Sequence, residues 1–116
     1  MSSARAILNG AMTEAVLQRT VIEMAQRLGY LVFHFPDKAL AELAKRQRWD
    51  AMPDKGFPDT WIVGRGRLIV AECKTERGRL DADQRLWLAA LREVEGIEVY
   101  VWRPSDMDEI ERIMRG

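Results

Sequence analysis

Apolar and polar positions along this chain alternate between two periods, and the switches between them mark out the elements. From Thr13 to Leu28 the apolar residues Val16, Leu17, Val21, Met24, Ala25 and Leu28 recur at helical spacing, with Thr13 placed as an N-cap and Gly29 as a stop. Residues 1–12 have no firm pattern, and Ser2 and Ser3 suggest a frayed start. Tyr30 to Phe35 is a short aromatic and β-branched run ended by Pro36, which predicts a first strand. Lys38 to Trp49 has helical composition and gathers Lys45, Arg46 and Arg48 at its end. Trp61-Ile62-Val63 and Leu68-Ile69-Val70-Ala71 read as two central strands, and the Gly64 to Arg67 link is short enough for an antiparallel hairpin. Asp81 is placed to cap a helix from Ala82 to about Glu95, with Leu86, Ala89, Ala90 and Val94 as its inner stripe and Leu88 and Leu91 beside it. After Gly96, Ile97 to Trp102 alternates as a further strand; Pro104 ends it, and Ser105 opens a last helix that turns Met107, Ile110 and Met114 inward. The order α-β-α-β-β-α-β-α predicts an α/β domain with a mixed central sheet flanked by helices.

Composition fits one globular domain spanning residues 1–116: 47% of residues are hydrophobic and 31% charged. No apolar run approaches a membrane span, and the first residues do not read as a signal peptide, so the expected compartment is the cytoplasm. One cysteine allows no internal disulfide, and no Cys/His set has zinc spacing. Cys73 falls in a core strand, which predicts a buried, inert thiol. Net charge is zero, so bulk electrostatics would drive no strong sequence-independent DNA binding. Its distribution is uneven. Thr60 to Arg85 holds six basic residues (Arg65, Arg67, Lys74, Arg77, Arg79 and Arg85) against four acids, whereas Leu86 to the end holds four against seven. The basic excess is expected around the chemistry described next.

That chemistry centres on Gly56 to Lys74. Asp59 stands at the mouth of one strand and Glu72-Cys73-Lys74 closes the next. In a strand alternate side chains share a face, so Glu72 and Lys74 project together and Cys73 points away. Two acids and an ammonium are the parts of a Mg²⁺ or Mn²⁺ site for phosphodiester hydrolysis, since hard cations take oxygen ligands and a lysine steadies phosphate charge. The plainer alternative is a turn aspartate after Pro58 and a surface Glu–Lys pair. By position alone, Glu14 in a first helical turn reads as a partner for the helix dipole, and Gln84 as a surface glutamine. His34, the one histidine, could be a packed or edge residue, a general base or a DNA contact.

Gly-Phe-Pro-Asp, then Ala-Glu-Cys-Lys about a dozen residues later, then Gly-Arg-Leu-Asp-Ala-Asp-Gln-Arg-Leu-Trp-Leu resembles the VRR-NUC (virus-type replication-repair nuclease) family of the PD-(D/E)xK nuclease superfamily. The likeness runs from Glu14 to about Trp102. It implies a restriction-endonuclease-like fold in a stand-alone member of the kind found in phages and bacteria. Glu14, Asp59 and Glu72 would be metal-binding acids, the Cys73 backbone carbonyl a further ligand, Lys74 the catalytic lysine and Gln84 the supporting glutamine. Arg46, Arg48, Lys55, Arg77, Arg79 and Arg85 are the candidate nucleic-acid contacts. Where many members carry Gly-Pro-Gly-Asp after the lysine, this chain has Thr75-Glu76-Arg77-Gly78. The activity implied is a homodimeric, Mg²⁺- or Mn²⁺-dependent endonuclease on branched DNA such as four-way (Holliday) junctions, in replication, repair or recombination, with no organic cofactor and no membrane partner. The alternatives are a flap or single-strand nuclease or nickase, and a non-catalytic DNA-binding module.

Overall fold

A computed structural model describes residues 3–34 and 55–116. The order is α1 (Ala4–Ala11), α2 (Glu14–Arg27), β1 (Leu31–His34), β2 (Thr60–Gly64), β3 (Arg67–Cys73), α3 (Ala82–Arg92), β4 (Ile97–Trp102), a 3₁₀ turn (Pro104–Asp106) and α4 (Met107–Arg115). The helix expected over Lys38 to Trp49 lies outside the described residues, as do Arg46 and Arg48.

The four strands form one mixed sheet in the order β1-β2-β3-β4. β1, β2 and β3 run antiparallel in turn, and β4 lies parallel to β3 with Glu72 opposite Val101. The β2–β3 hairpin turns on Arg65 and Gly66, with φ of +52° and +71°. Positive φ at both central residues gives the backbone twist that matches two paired strands. Arg65 accepts this left-handed conformation while its guanidinium donates to the carbonyls of Leu28, Met114 and Arg115. Arg67 likewise forks onto Glu98 at 2.6 and 2.7 Å and donates to the Ile113 carbonyl.

One face of the sheet is covered by α2 and α4. Leu17, Val21 and Ala25 meet Ile110 and Met114 over Ile62, Ile69, Ala71, Cys73 and Trp102, all of them buried. α2 begins as its sequence predicts, with the Thr13 hydroxyl accepting from the Val16 amide at 3.2 Å. α3 covers the opposite face, and there the sequence reading needs correction. Leu86 is 70% and Val94 49% exposed, while Leu88 is buried and Gln84, Trp87 and Leu91 are half-buried. The inward stripe is therefore Gln84, Trp87, Leu88 and Leu91, a face more than a third of a turn from the expected one. The start of the chain is a second correction. Residues 4–11 form a helix capped by the Ser3 hydroxyl on the Ala6 amide, and Arg5 pairs with Asp108 of α4 at 2.9 Å. At the last helix the capping also differs: Asp106, not Ser105, accepts from a backbone amide, that of Arg103, and the Ser105 amide donates to Glu76. None of the helices among the described residues is long and apolar enough to cross a membrane.

Candidate metal centre

Because β2 and β3 are antiparallel, the start of β2 and the end of β3 meet at one edge of the sheet, and Asp59 and Glu72 meet with them. The two residues are joined reciprocally through the backbone. The Asp59 amide donates to Glu72 Oε2 at 3.2 Å, and the Cys73 amide donates to the Asp59 carboxylate at 3.3 and 3.4 Å. Each acid is thus positioned by the other's strand.

The loop that delivers Asp59 is fixed from several sides. Gly56 has φ of +91°, and a Cβ there would sit 2.4 Å from the Asp83 carbonyl carbon, so only glycine fits this crossing over the start of α3. Phe57 stacks on Trp61 with ring centroids 5.1 Å apart and meets the Trp87 ring edge-on. Pro58 is buried, and its carbonyl accepts from the Trp61 indole at 3.1 Å. Thr60, fully buried, donates its hydroxyl to Asp59 Oδ1 at 2.7 Å. Gln18 of α2 donates to the Asp59 carbonyl at 3.3 Å and to the Thr60 hydroxyl at 3.2 Å. Gln18 and Thr60 had no role in the sequence reading. The signal for Gln18 was its spacing, four residues after Glu14 and therefore on the same helix face.

Glu72 is 5% exposed. Its Oε1 accepts from Gln84 Nε2 at 3.0 Å, and the rest of the Gln84 side chain explains why. Asp81 and Gln84 form a reciprocal capping box at the start of α3: Asp81 accepts from the Gln84 amide at 2.8 Å, and Gln84 Oε1 accepts from the Asp81 amide at 3.0 Å. With its oxygen held by the helix start, the Gln84 amide group can present only its NH₂ to Glu72. Gln84 therefore orients an acid.

Burial sets the charge state. The Asp59 carboxyl is pushed up to about 6, chiefly by burial, with its bonds from Thr60 and Cys73 working the other way. Burial, followed by repulsion from Asp59, pushes Glu72 up to about 8. Near neutral pH the pair thus holds one proton between two acids, the condition of carboxylates short of positive charge. The thiol of Cys73 is buried and raised by burial, as an inert core cysteine should be. Its amide serves Asp59, which leaves its carbonyl as the group open to a ligand role.

Glu14 and Lys74 form the other half of the site. Lys74 follows β3, its amide extends the ladder to the Trp102 carbonyl, and its side chain is 13% exposed. Its ammonium lies 3.6 Å from Glu14 Oε1 in the first turn of α2. Both groups are close enough to act electrostatically on Asp59 and Glu72. The expected residues are brought together, but in two couples, Asp59 with Glu72 and Glu14 with Lys74. No three His, Cys, Asp or Glu side chains among the described residues are already gathered as a metal-holding group. The donor set itself suits a hard divalent ion: two neighbouring carboxyls, both raised by burial, gain from a cation that favours their ionised forms.

Beyond Lys74 the Thr75 to Gly78 segment is tied down. Arg103 donates to the carbonyls of Thr75 at 2.7 Å, Gly78 at 2.6 Å and Glu76 at 3.4 Å. A groove of about 400 Å³ separates this segment from α1, lined by Ala6, Ile7, Gly10, Thr75, Glu76 and Arg77. Among the candidate contacts, Arg77 and Arg79 are exposed, Arg85 is exposed and bonded to the Leu80 carbonyl, and Lys55 pairs with Asp83 at 3.6 Å. Arg65 and Arg67 correct the charge reading. They sit at the hairpin turn, roughly 20 Å of strand away from Cys73, and bond helix-end carbonyls and Glu98. His34, exposed at the end of β1, pairs with Thr60 across the strands.

No protein-family model, no curated protein and no solved structure matches the chain.

Proposed function

We propose that this chain is a Mg²⁺- or Mn²⁺-dependent DNA endonuclease of the VRR-NUC type, with a restriction-endonuclease-like fold, acting as a homodimer on branched DNA such as four-way junctions. One observation carries the reading: the Asp59 and Glu72 carboxyls, both withdrawn from solvent, are locked together through backbone amides of two paired strands at the strand ends where Lys74 follows. Structural carboxylates are normally satisfied by a fixed cation, and among the described residues the cation that acts on this pair is Lys74, itself drawn to Glu14.

In this reading Asp59, Glu72, Glu14 and the Cys73 carbonyl hold the ion. When bound, it supplies Lewis acidity toward the scissile phosphate and a lowered pKa for the attacking water. The chain's own residues do the rest. Gln84 keeps Glu72 turned toward the site, and its second N–H is the candidate for holding the water or a phosphate oxygen in line. Lys74 exchanges Glu14 for the phosphate and steadies charge as the water oxygen bonds to phosphorus and the ester P–O bond breaks. The attacking water gives up one proton to solvent as it bonds, and the leaving oxygen takes one up from solvent, so the step is balanced. Arg77 and Arg79, both exposed on the segment after Lys74, are the candidates for flanking phosphates, and the groove beside α1 that Arg77 lines is the candidate path for one strand. Two such sites related by a twofold axis suit symmetric cutting of a junction.

The test is cleavage of labelled four-way, flap, nicked, single-stranded and linear DNA in Mg²⁺ and in Mn²⁺. Paired, symmetric cuts in the junction, lost in Lys74→Ala, are expected. Equal cutting by wild type and Lys74→Ala would refute the enzyme reading. DNA binding with neither cleavage nor Mn²⁺ uptake would favour a non-catalytic module, and sedimentation as monomer at micromolar concentration would remove the paired-site version.

A further inference from the structure

We propose that Gln18 and Thr60 are positioning residues that aim the Asp59 carboxylate at the ion, an inference that rests on the metal-centre reading above. Three hydrogen bonds run in one direction. The Gln18 amide donates to the Thr60 hydroxyl at 3.2 Å and, from the same nitrogen, to the Asp59 carbonyl at 3.3 Å; the Thr60 hydroxyl donates to Asp59 Oδ1 at 2.7 Å. An NH₂ group cannot accept, so the direction is fixed at its source.

The hydroxyl's own chemistry strengthens the point. A threonine hydroxyl has one proton and two lone pairs. Gln18 donates to one of those lone pairs, so the hydroxyl proton must point elsewhere, and Asp59 Oδ1 lies 2.7 Å away. The single proton is left with Asp59 as its acceptor. The strand pairing with Ala71 does not use the hydroxyl, and valine would keep the branched outline of this fully buried side chain while losing the donor to Asp59. A buried hydroxyl with its partners at the acid is explained by orientation of that acid. Groups that hold a ligating carboxylate in this way typically alter metal affinity by roughly 10–100-fold when removed.

Gln18 also ties the two halves of the site together. It stands one helical turn beyond Glu14 on α2, so the helix that carries the acid facing Lys74 also fixes the strand that carries Asp59. Register between α2 and β2 is thereby set by a polar contact at the site itself.

The test is Mn²⁺ titration calorimetry on the full chain, with thermal melting of each variant as the folding control. Thr60→Val and Gln18→Ala should each weaken Mn²⁺ binding by about tenfold or more, and Thr60→Ser should restore it to within about threefold of wild type. Because Gln18 reaches the carboxylate through the Thr60 hydroxyl, with its bond to the Asp59 carbonyl as a second route, Gln18→Ala combined with Thr60→Val should weaken binding by less than the product of the two single effects. Folded Gln18→Ala and Thr60→Val proteins that bind Mn²⁺ like wild type would overturn the proposal. So would a double variant weakened by the product of the two single effects. Asp59→Asn separates the two layers: if wild type binds Mn²⁺ no better than Asp59→Asn, the metal-centre reading itself has failed, and this inference with it.

Discussion

Replacing Asp59 with asparagine should make the metal-free protein more stable at pH 8 while abolishing its response to Mn²⁺. In the folded chain the Asp59 carboxyl is raised from 3.8 to about 6 by burial. A folded acid with a raised value keeps its proton where the unfolded chain has lost it. Stability therefore falls as pH rises from 3.8 to about 6 and stays reduced above that window. At about 1.4 kcal/mol per pH unit, the interval sets a ceiling of about 3 kcal/mol on what ionised Asp59 withdraws from folding. Asparagine has the same shape, and its Oδ1 can still accept from Thr60 and the Cys73 amide, so the charge is what the variant removes. Relief also reaches Glu72, because repulsion from Asp59 is the second cause of its raised value. For a domain of this size the ceiling corresponds to a rise in melting temperature on the order of 10 °C. The assay is thermal melting of both proteins in EDTA from pH 4.5 to 8.5, repeated with Mn²⁺. In EDTA the curves should converge at the acid end and separate with rising pH, the variant on top. With Mn²⁺ at a hundred times its Kd, wild type should recover about 2.7 kcal/mol, and the variant nothing. A variant that melts at or below wild type in EDTA at pH 8 would refute the claim that a charged Asp59 is held there against its preference.

Three further outcomes follow from the same contacts. At pH 7 Glu72, raised to about 8, is largely protonated, so Mn²⁺ binding should release close to one proton and tighten as pH rises toward 8; calorimetry in buffers of different ionisation enthalpy measures both. Lys74→Met should remove cleavage yet leave Mn²⁺ affinity equal or higher, because the ammonium competes for the same acids; calorimetry beside a gel assay separates the two effects. Arg103→Ala should destabilise the fold by about 2 kcal/mol and slow cleavage by freeing the segment after Lys74, with Arg103→Lys a poor rescue because an ammonium cannot fork onto several carbonyls; urea unfolding and the cleavage rate report this.

How far the sequence discloses this arrangement depends on how many physical demands coincide at a position. The hairpin was legible because strand periodicity and the short glycine-containing link from Gly64 to Arg67 agree there, and α2 because Thr13, Gly29 and the Leu17-Val21-Ala25 stripe agree. Residues 4–11 were missed because Ile7 and Leu8 stay 64% and 68% exposed, so that helix lacks the inward stripe that sequence reading looks for. The arginines misled for a different reason. Charge counts cannot separate a guanidinium facing solvent, such as Arg77, from Arg65 and Arg67, whose task is to collect the carbonyls at the ends of α2 and α4. Helix α3 is the most informative case. Leu86 to Leu91 is apolar almost all the way round, so hydrophobicity alone barely prefers one rotation over another. What selects the rotation is polar: the capping box holds Gln84 Oε1, its Nε2 must reach Glu72 at 3.0 Å, and once residue 84 faces the sheet, Trp87, Leu88 and Leu91 follow at helical spacing. The exposure of Leu86 and Val94 follows from that same rotation. The expected stripe would have turned Gln84 outward and left Glu72 Oε1 without the Gln84 bond, so the phase of this helix is better read as a consequence of the site than of the core.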